Sequence, residues 1–158
     1  MMIKALKKAI TASISDVLET MFFMVIEFHE SDAGDRLTIL ARPNLRGCTL
    51  QFTGPFSGEF TLIAPEDLFR EMAVDFMGES PENITVEHAE GTLKEAVNMI
   101  AGNTFAHYDD TLVFSVGIPE VMKPADIKSV FECGGKESLF FKVMTGKSEI
   151  VLKMVIRQ

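Results

Sequence analysis

A carboxylate and a carboxamide three residues apart, Glu95 and Asn98, stand in the run Leu93-Lys94-Glu95-Ala96-Val97-Asn98-Met99-Ile100-Ala101-Gly102-Asn103. The Asn98 carboxamide can donate to and accept from a water molecule, and so hold it in a fixed direction. A carboxylate one helical turn earlier would share the same partner surface. The surrounding spacing is that of a helix, with Val86, Ala89, Leu93, Ala96, Val97, Ile100 and Thr104 gathered on one side. Across from them lie Glu95, Asn98, Gly91, Gly102 and Ala106. Glycine inside a helix costs about 1 kcal/mol relative to alanine. Two glycines flanking an acid and a carboxamide suit close approach by another molecule. Without further context, the same face is also what the solvated side of an amphipathic helix presents.

Other arrangements that would carry chemistry are missing. The sequence has no G-x-x-x-x-G-K-[ST] loop, no G-x-S-x-G elbow and no H-E-x-x-H. His29, His88 and His107 are dispersed and read as surface or core histidines. Asp109-Asp110 reads as a solvated loop after a helix rather than a cation site, and Gly134-Gly135 as a hairpin turn rather than a phosphate cradle. Cys48 and Cys133 lack C-x-x-C spacing and are expected to be buried thiols, so no metal or redox site is predicted. The ten methionines are expected to fill gaps in the core.

Ile3, Leu6, Ile10, Ile14, Val17, Leu18 and Met21 predict a first helix over residues 3–21. Strands are expected at 23–30, 36–41, 48–53 and 59–63, separated by the turn chemistry of Ser31-Asp32-Ala33-Gly34, Pro43-Asn44 and Gly54-Pro55. Ala64-Pro65-Glu66-Asp67 opens a helix that ends near Gly78. The motif helix runs from about Thr85 to His107. Four more strands follow at 111–118, 127–133, 139–144 and 149–157. The pattern defines an α+β fold with mainly antiparallel strands, because successive strands are joined by short turns.

The 158 residues, 47% hydrophobic and 24% charged, suit one compact domain with a substantial core. A formal charge of −8 argues against nucleic-acid or anionic-membrane surfaces. The basic start Lys4-Ala5-Leu6-Lys7-Lys8 is followed by Ser13, Ser15, Asp16 and Glu19, which break any export-signal apolar region. No apolar run approaches spanning length. A cytoplasmic protein is the expectation. Helix-then-strands occurs twice, and the halves, about 1–78 and 79–158, can be overlaid with Glu19 opposite Glu95 and Phe22 opposite Asn98, which suggests an internal duplication. Glu59-Phe60-Thr61-Leu62 similarly echoes Glu149-Ile150-Val151-Leu152.

The run Glu95 to Asn103 closely resembles the active-site helix of the CheC/CheX family of bacterial chemotaxis phosphatases, and most closely the CheX branch. The resemblance extends to Glu19-Thr20-Met21-Phe22 and to Gly117-Ile118-Pro119-Glu120-Val121. It implies a CheC-like pseudo-twofold duplicated fold, with a mainly antiparallel sheet packed by long α-helices, and a homodimer. It further implies hydrolysis of the aspartyl phosphate on a CheY-like response regulator. In that reading Asn98 positions the water and Glu95 docks the regulator beside Gly91 and Gly102. Magnesium comes from the regulator, and the chain needs no cofactor of its own. With Phe22 in place of asparagine in the first half, one site per chain is expected. The sequence departs from the family pattern at Gly91, where an aspartate or serine is usual, and at Pro119, which falls slightly closer to Asn98. A noncatalytic CheX-like domain that binds a signalling or flagellar partner is the alternative.

Overall fold

Helix α1, Met2–Ser15, opens the chain in a computed structural model that describes residues 2–29, 37–132, 137–146 and 148–157. Leu6, Ala9, Ile10 and Ile14 bury one stripe of it. Ser15 keeps right-handed helical angles, so α1 runs directly into a π-helical segment, Asp16–Met21, which buries Val17 and Leu18. The expected helix over 3–21 is therefore helical throughout, with its last six residues wound wider. The Met24 N–H closes the end by donating to the Leu18 carbonyl at 3.0 Å. Phe23 turns the chain there with φ of 56°, a left-handed conformation that bulky side chains rarely adopt.

One antiparallel sheet is built from β1 (Glu27–His29), β2 (Leu45–Thr53), β3 (Ser57–Pro65), β4 (Ser115–Val116), β5 (Glu120–Val121), β6 (Glu137–Met144) and β7 (Glu149–Arg157). Its order is β1-β6-β7-β3-β2-β4, with β5 also on β2. The central pair β3–β7 sets Leu62 opposite Leu152. Both leucines join the main core, while their neighbours Ile63 and Val151 join a smaller one with Ile39, Ile127 and Val130. Alternation along a strand puts these two sets on opposite faces of the sheet.

The main core lies under three helices. Helix α2, Glu66–Met77, starts directly after Pro65 with two acids in its first turn and stops at Gly78, which takes φ of 67°. Helix α3, Val86–Tyr108, carries Glu95 and Asn98. Thr85 caps it: the Thr85 hydroxyl accepts from the His88 N–H, and His88 Nδ1 accepts from the Thr85 N–H, both at 3.1 Å. Histidine thus fills the place that glutamate or glutamine usually takes in a reciprocal cap. Helix α3 lies against both α1 and α2 and over β2 and β3. Buried Ser13 of α1 donates to the Ile100 carbonyl at 2.6 Å, and Thr104 donates to the same oxygen at 2.7 Å. At the far end Phe105 stacks on Phe114 at 4.1 Å and tilts against Phe52 of β2 at 4.9 Å, which fixes the helix to the sheet.

Several expected strands take other forms. Residues Leu37–Ala41 form a 3₁₀ turn, with Ile39 fully buried on the outer face of the sheet. The segment expected as a strand from Ile127 forms 3₁₀ turns, Pro124–Asp126 and Lys128–Phe131. Ile127 and Val130 both bury there, and a spacing of three aligns side chains in a 3₁₀ turn whereas a strand would separate them. The strand expected at 111–118 shrinks to β4, with Val113 81% exposed, and β5 supplies a second short edge piece. The strand expected at 23–30 shrinks to β1. Arg36, Cys133 and the Gly134-Gly135 turn lie outside the described residues.

Candidate functional site

The outer side of α3 presents Gly91, Asn98, Gly102 and Ala106 to solvent, with Glu95 partly exposed among them. Among the described residues, neither the Glu95 nor the Asn98 side chain makes an intramolecular hydrogen bond or ion pair. A methyl group added at Gly91 or Gly102 would meet nothing within 4 Å. Packing inside the chain therefore gives neither glycine a reason. The helix surface is low and open at both ends of the Glu95–Asn98 pair, and both polar side chains are free to meet an incoming molecule.

Two polar networks seat this helix. Arg46 of β2 bonds Glu66 of α2 at 2.7 Å and approaches Glu90 of α3 at 3.6 Å. Arg70 Nε donates to the other Glu66 oxygen at 3.0 Å, and its Nη1 donates to the Ile84 carbonyl just before α3 at 2.9 Å. The hydrogen bonds from Arg70, and then from Arg46, hold the Glu66 carboxyl below its ordinary range. At the other end His107 Nε2 lies 2.8 Å from Asp16 Oδ2, and the Asn103 carboxamide donates to the same oxygen at 3.4 Å. Asp16 belongs to the π-helical segment, so this contact pins that segment along the side of α3.

Between them the segment and the helix enclose an open groove of about 430 Å³ lined by Asp16, Val17, Thr20, Met21, Met99 and Asn103. A larger cleft of about 530 Å³, with Arg42, Arg46 and Lys128 in its walls, contains no residue of the motif. Phe22, set opposite Asn98 in the overlay of the halves, is fully buried and packs on Phe76 at 5.3 Å.

Two further titratable groups, Cys48 and Asp109, have structural surroundings. The Cys48 thiol is buried in the core, and burial pushes its pKa up to about 12, which makes it a poor nucleophile. Asp109 accepts from the Thr111 hydroxyl at 2.6 Å and from the Thr111 N–H at 3.0 Å, and these bonds lower its pKa. It serves as a turn residue at the exit of α3. Among the described residues no group of three or more His, Cys, Asp or Glu could hold a metal ion, and no helix is long and apolar enough to cross a membrane.

Long helices pack one face of an open antiparallel sheet, with the motif helix between the other two, and this is consistent with a CheC/CheX-like fold. The chemotaxis protein CheX from Vibrio vulnificus superimposes with a TM-score of 0.70 at 16% identity, over 96% of each chain. A CheC-like protein from Shewanella oneidensis gives 0.70 at 15% identity, over 97% of this chain and 98% of that one. CheX in the CheX–CheY–BeF3–Mg complex from Borrelia burgdorferi gives 0.69 at 16% identity, over 96% and 97%. No curated protein sequence matches the chain. A sequence model described as "Chemotaxis phosphatase CheX" matches residues 46–143, more than half of the chain. The chain belongs to the CheX family.

Proposed function

We propose that the chain hydrolyses the aspartyl phosphate of a CheY-like response regulator, with Asn98 holding the attacking water and Glu95 docking the regulator. The observation that carries this reading is the Asn98 carboxamide, exposed and without an intramolecular partner on a ridge flanked by two glycines that the chain's own packing does not require. An acyl phosphate is already activated. Its hydrolysis chiefly needs a water in line with the phosphorus and the exclusion of others. The water oxygen bonds to phosphorus as the bond to the aspartyl oxygen breaks. The carboxylate leaves, and the water's protons pass to phosphate oxygens and solvent.

Asn98 contributes by fixing the water's direction through its amide oxygen and nitrogen. Glu95, one turn earlier, offers a carboxylate to a cationic side chain of the regulator. Magnesium is supplied by the phosphorylated regulator. The Borrelia complex, in which a CheX is bound with CheY, beryllium trifluoride and magnesium, supports that partner class. A homodimer accompanies this reading, and light scattering of the purified chain tests it.

The deciding experiment follows the loss of a labelled phosphoryl group from candidate regulators with magnesium present. Wild-type protein should accelerate the loss. Asn98→Ala should abolish the acceleration, by about 100-fold or more, the scale expected when a positioned polar group of the reaction is removed. Glu95→Ala should weaken the complex instead. Full activity in Asn98→Ala would remove the mechanism. A second reading, a noncatalytic binding domain, draws on Gly91, which lacks the polar side chain usual at that place. Binding to a regulator whose phosphate lifetime is unchanged at saturation would select it.

A further inference from the structure

The groove beside the motif has no task in the mechanism above, yet it shares a wall with the Asn98 ridge. Met99 and Asn103, two of its lining residues, each directly follow a ridge residue, Asn98 and Gly102. Consecutive helix residues are turned by about 100°, yet Met99 stands one turn after Glu95 and one turn before Gly102, so a protein surface laid over the ridge also reaches the groove mouth on its flank. We infer that this groove takes an apolar side chain from the receiver domain of the regulator, next to its phosphorylated aspartate. The inference rests on the proposed phosphatase reading and assigns part of its partner specificity to the π-helical segment.

The walls decide the chemistry of the occupant. Val17, Met21 and Met99 supply the apolar lining, and the thioether side chains are flexible enough to mould around an incoming group. Met21 remains 42% exposed in the free chain, so contact with a partner would remove apolar surface from water. Asp16 is the one charged group in the lining, and its carboxylate already faces His107 at 2.8 Å and Asn103 at 3.4 Å. It is therefore poorly placed to recruit a lysine or arginine, which leaves hydrocarbon as the matching chemistry. A space of about 430 Å³ lies within the range of small-ligand pockets and exceeds the needs of one aliphatic or aromatic side chain. The π-helical winding of residues 16–21 forms one wall of the groove. Such turns are frequent at functional sites.

Thr20→Arg tests this inference, because Thr20 is exposed and the long cationic side chain fills and charges the groove without touching the core. Dephosphorylation of the regulator should show KM raised about tenfold or more with kcat within about twofold, a loss of docking with the chemistry left intact. As a second measurement, methyl-labelled methionine is followed by NMR on adding a beryllofluoride-activated receiver domain. The Met21 and Met99 signals should move, while those of buried Met72 and Met154 should not. Unchanged KM in Thr20→Arg, together with stationary Met21 and Met99 signals, would overturn the groove assignment while Asn98→Ala still abolished turnover. A fall in kcat at unchanged KM would also overturn it. Failure of the wild-type chain to bind any receiver domain would overturn the phosphatase reading and this inference together.

Discussion

Gly91 and Gly102 set folding against docking at single positions. Each lies within α3, and an added methyl group would meet nothing within 4 Å. Gly91→Ala and Gly102→Ala should therefore each stabilise the free chain by about 1 kcal/mol in denaturant titrations. The same substitutions should weaken binding of a receiver domain, because they raise the surface where the proposed partner must come close. Greater stability with unchanged affinity would show that the ridge is not the contact surface. Glu95, Asn98 and both glycines were legible in the sequence, because helical spacing alone puts them opposite Leu93, Ala96 and Ile100. Asp16 was not. Its partners Asn103 and His107 lie 87 and 91 residues along the chain, and no local pattern joins them.

Helix α3 is held by charge as well as by hydrocarbon, and this has a pH signature. The Glu66 carboxyl, bonded by Arg70 and Arg46, has a folded-state pKa below its ordinary value. Its contribution is present above the ordinary carboxylate pKa and is lost as pH falls through the lowered one. Wild type should accordingly be more stable than Glu66→Gln at neutral pH, and chemical denaturation at stepwise lower pH should show the difference shrinking through the acid range. The three helices could be read from periodicity because each buries a regular stripe. The segments at 37–41 and 127–131 could not. Ile39, Ile127 and Val130 are apolar because they cover the outer face of the sheet, and apolar residues in short runs read equally as strand or turn. The groove was also hidden, since Val17 and Leu18 suit an ordinary helix as well as the wider π winding that Asp16–Met21 adopts.

The whole molecule turns on the β3–β7 pair. Hairpins β2–β3 and β6–β7 meet there, with Leu62 against Leu152. Native-state hydrogen exchange should be slowest for amides of β3 and β7, and faster in β1, β4 and β5, which are two or three residues long and lie at the sheet margins. Equal protection across all seven strands would contradict this order. We propose that the symmetric strand order reflects duplication of halves about 1–78 and 79–158, as the echo of Glu59 to Leu62 in Glu149 to Leu152 suggests. In that overlay the counterpart of Asn98 is Phe22, fully buried against Phe76. Placing asparagine there would strip a large aromatic group from the core, at about 3 to 5 kcal/mol for truncation alone. It would also strand a carboxamide in a dry interior. A typical domain has only about 5 to 15 kcal/mol in hand. On the proposed duplication and the proposed role of Asn98, this works as a ratchet: with the aromatic ring built into the core, no single substitution can give the first half an Asn98-like site.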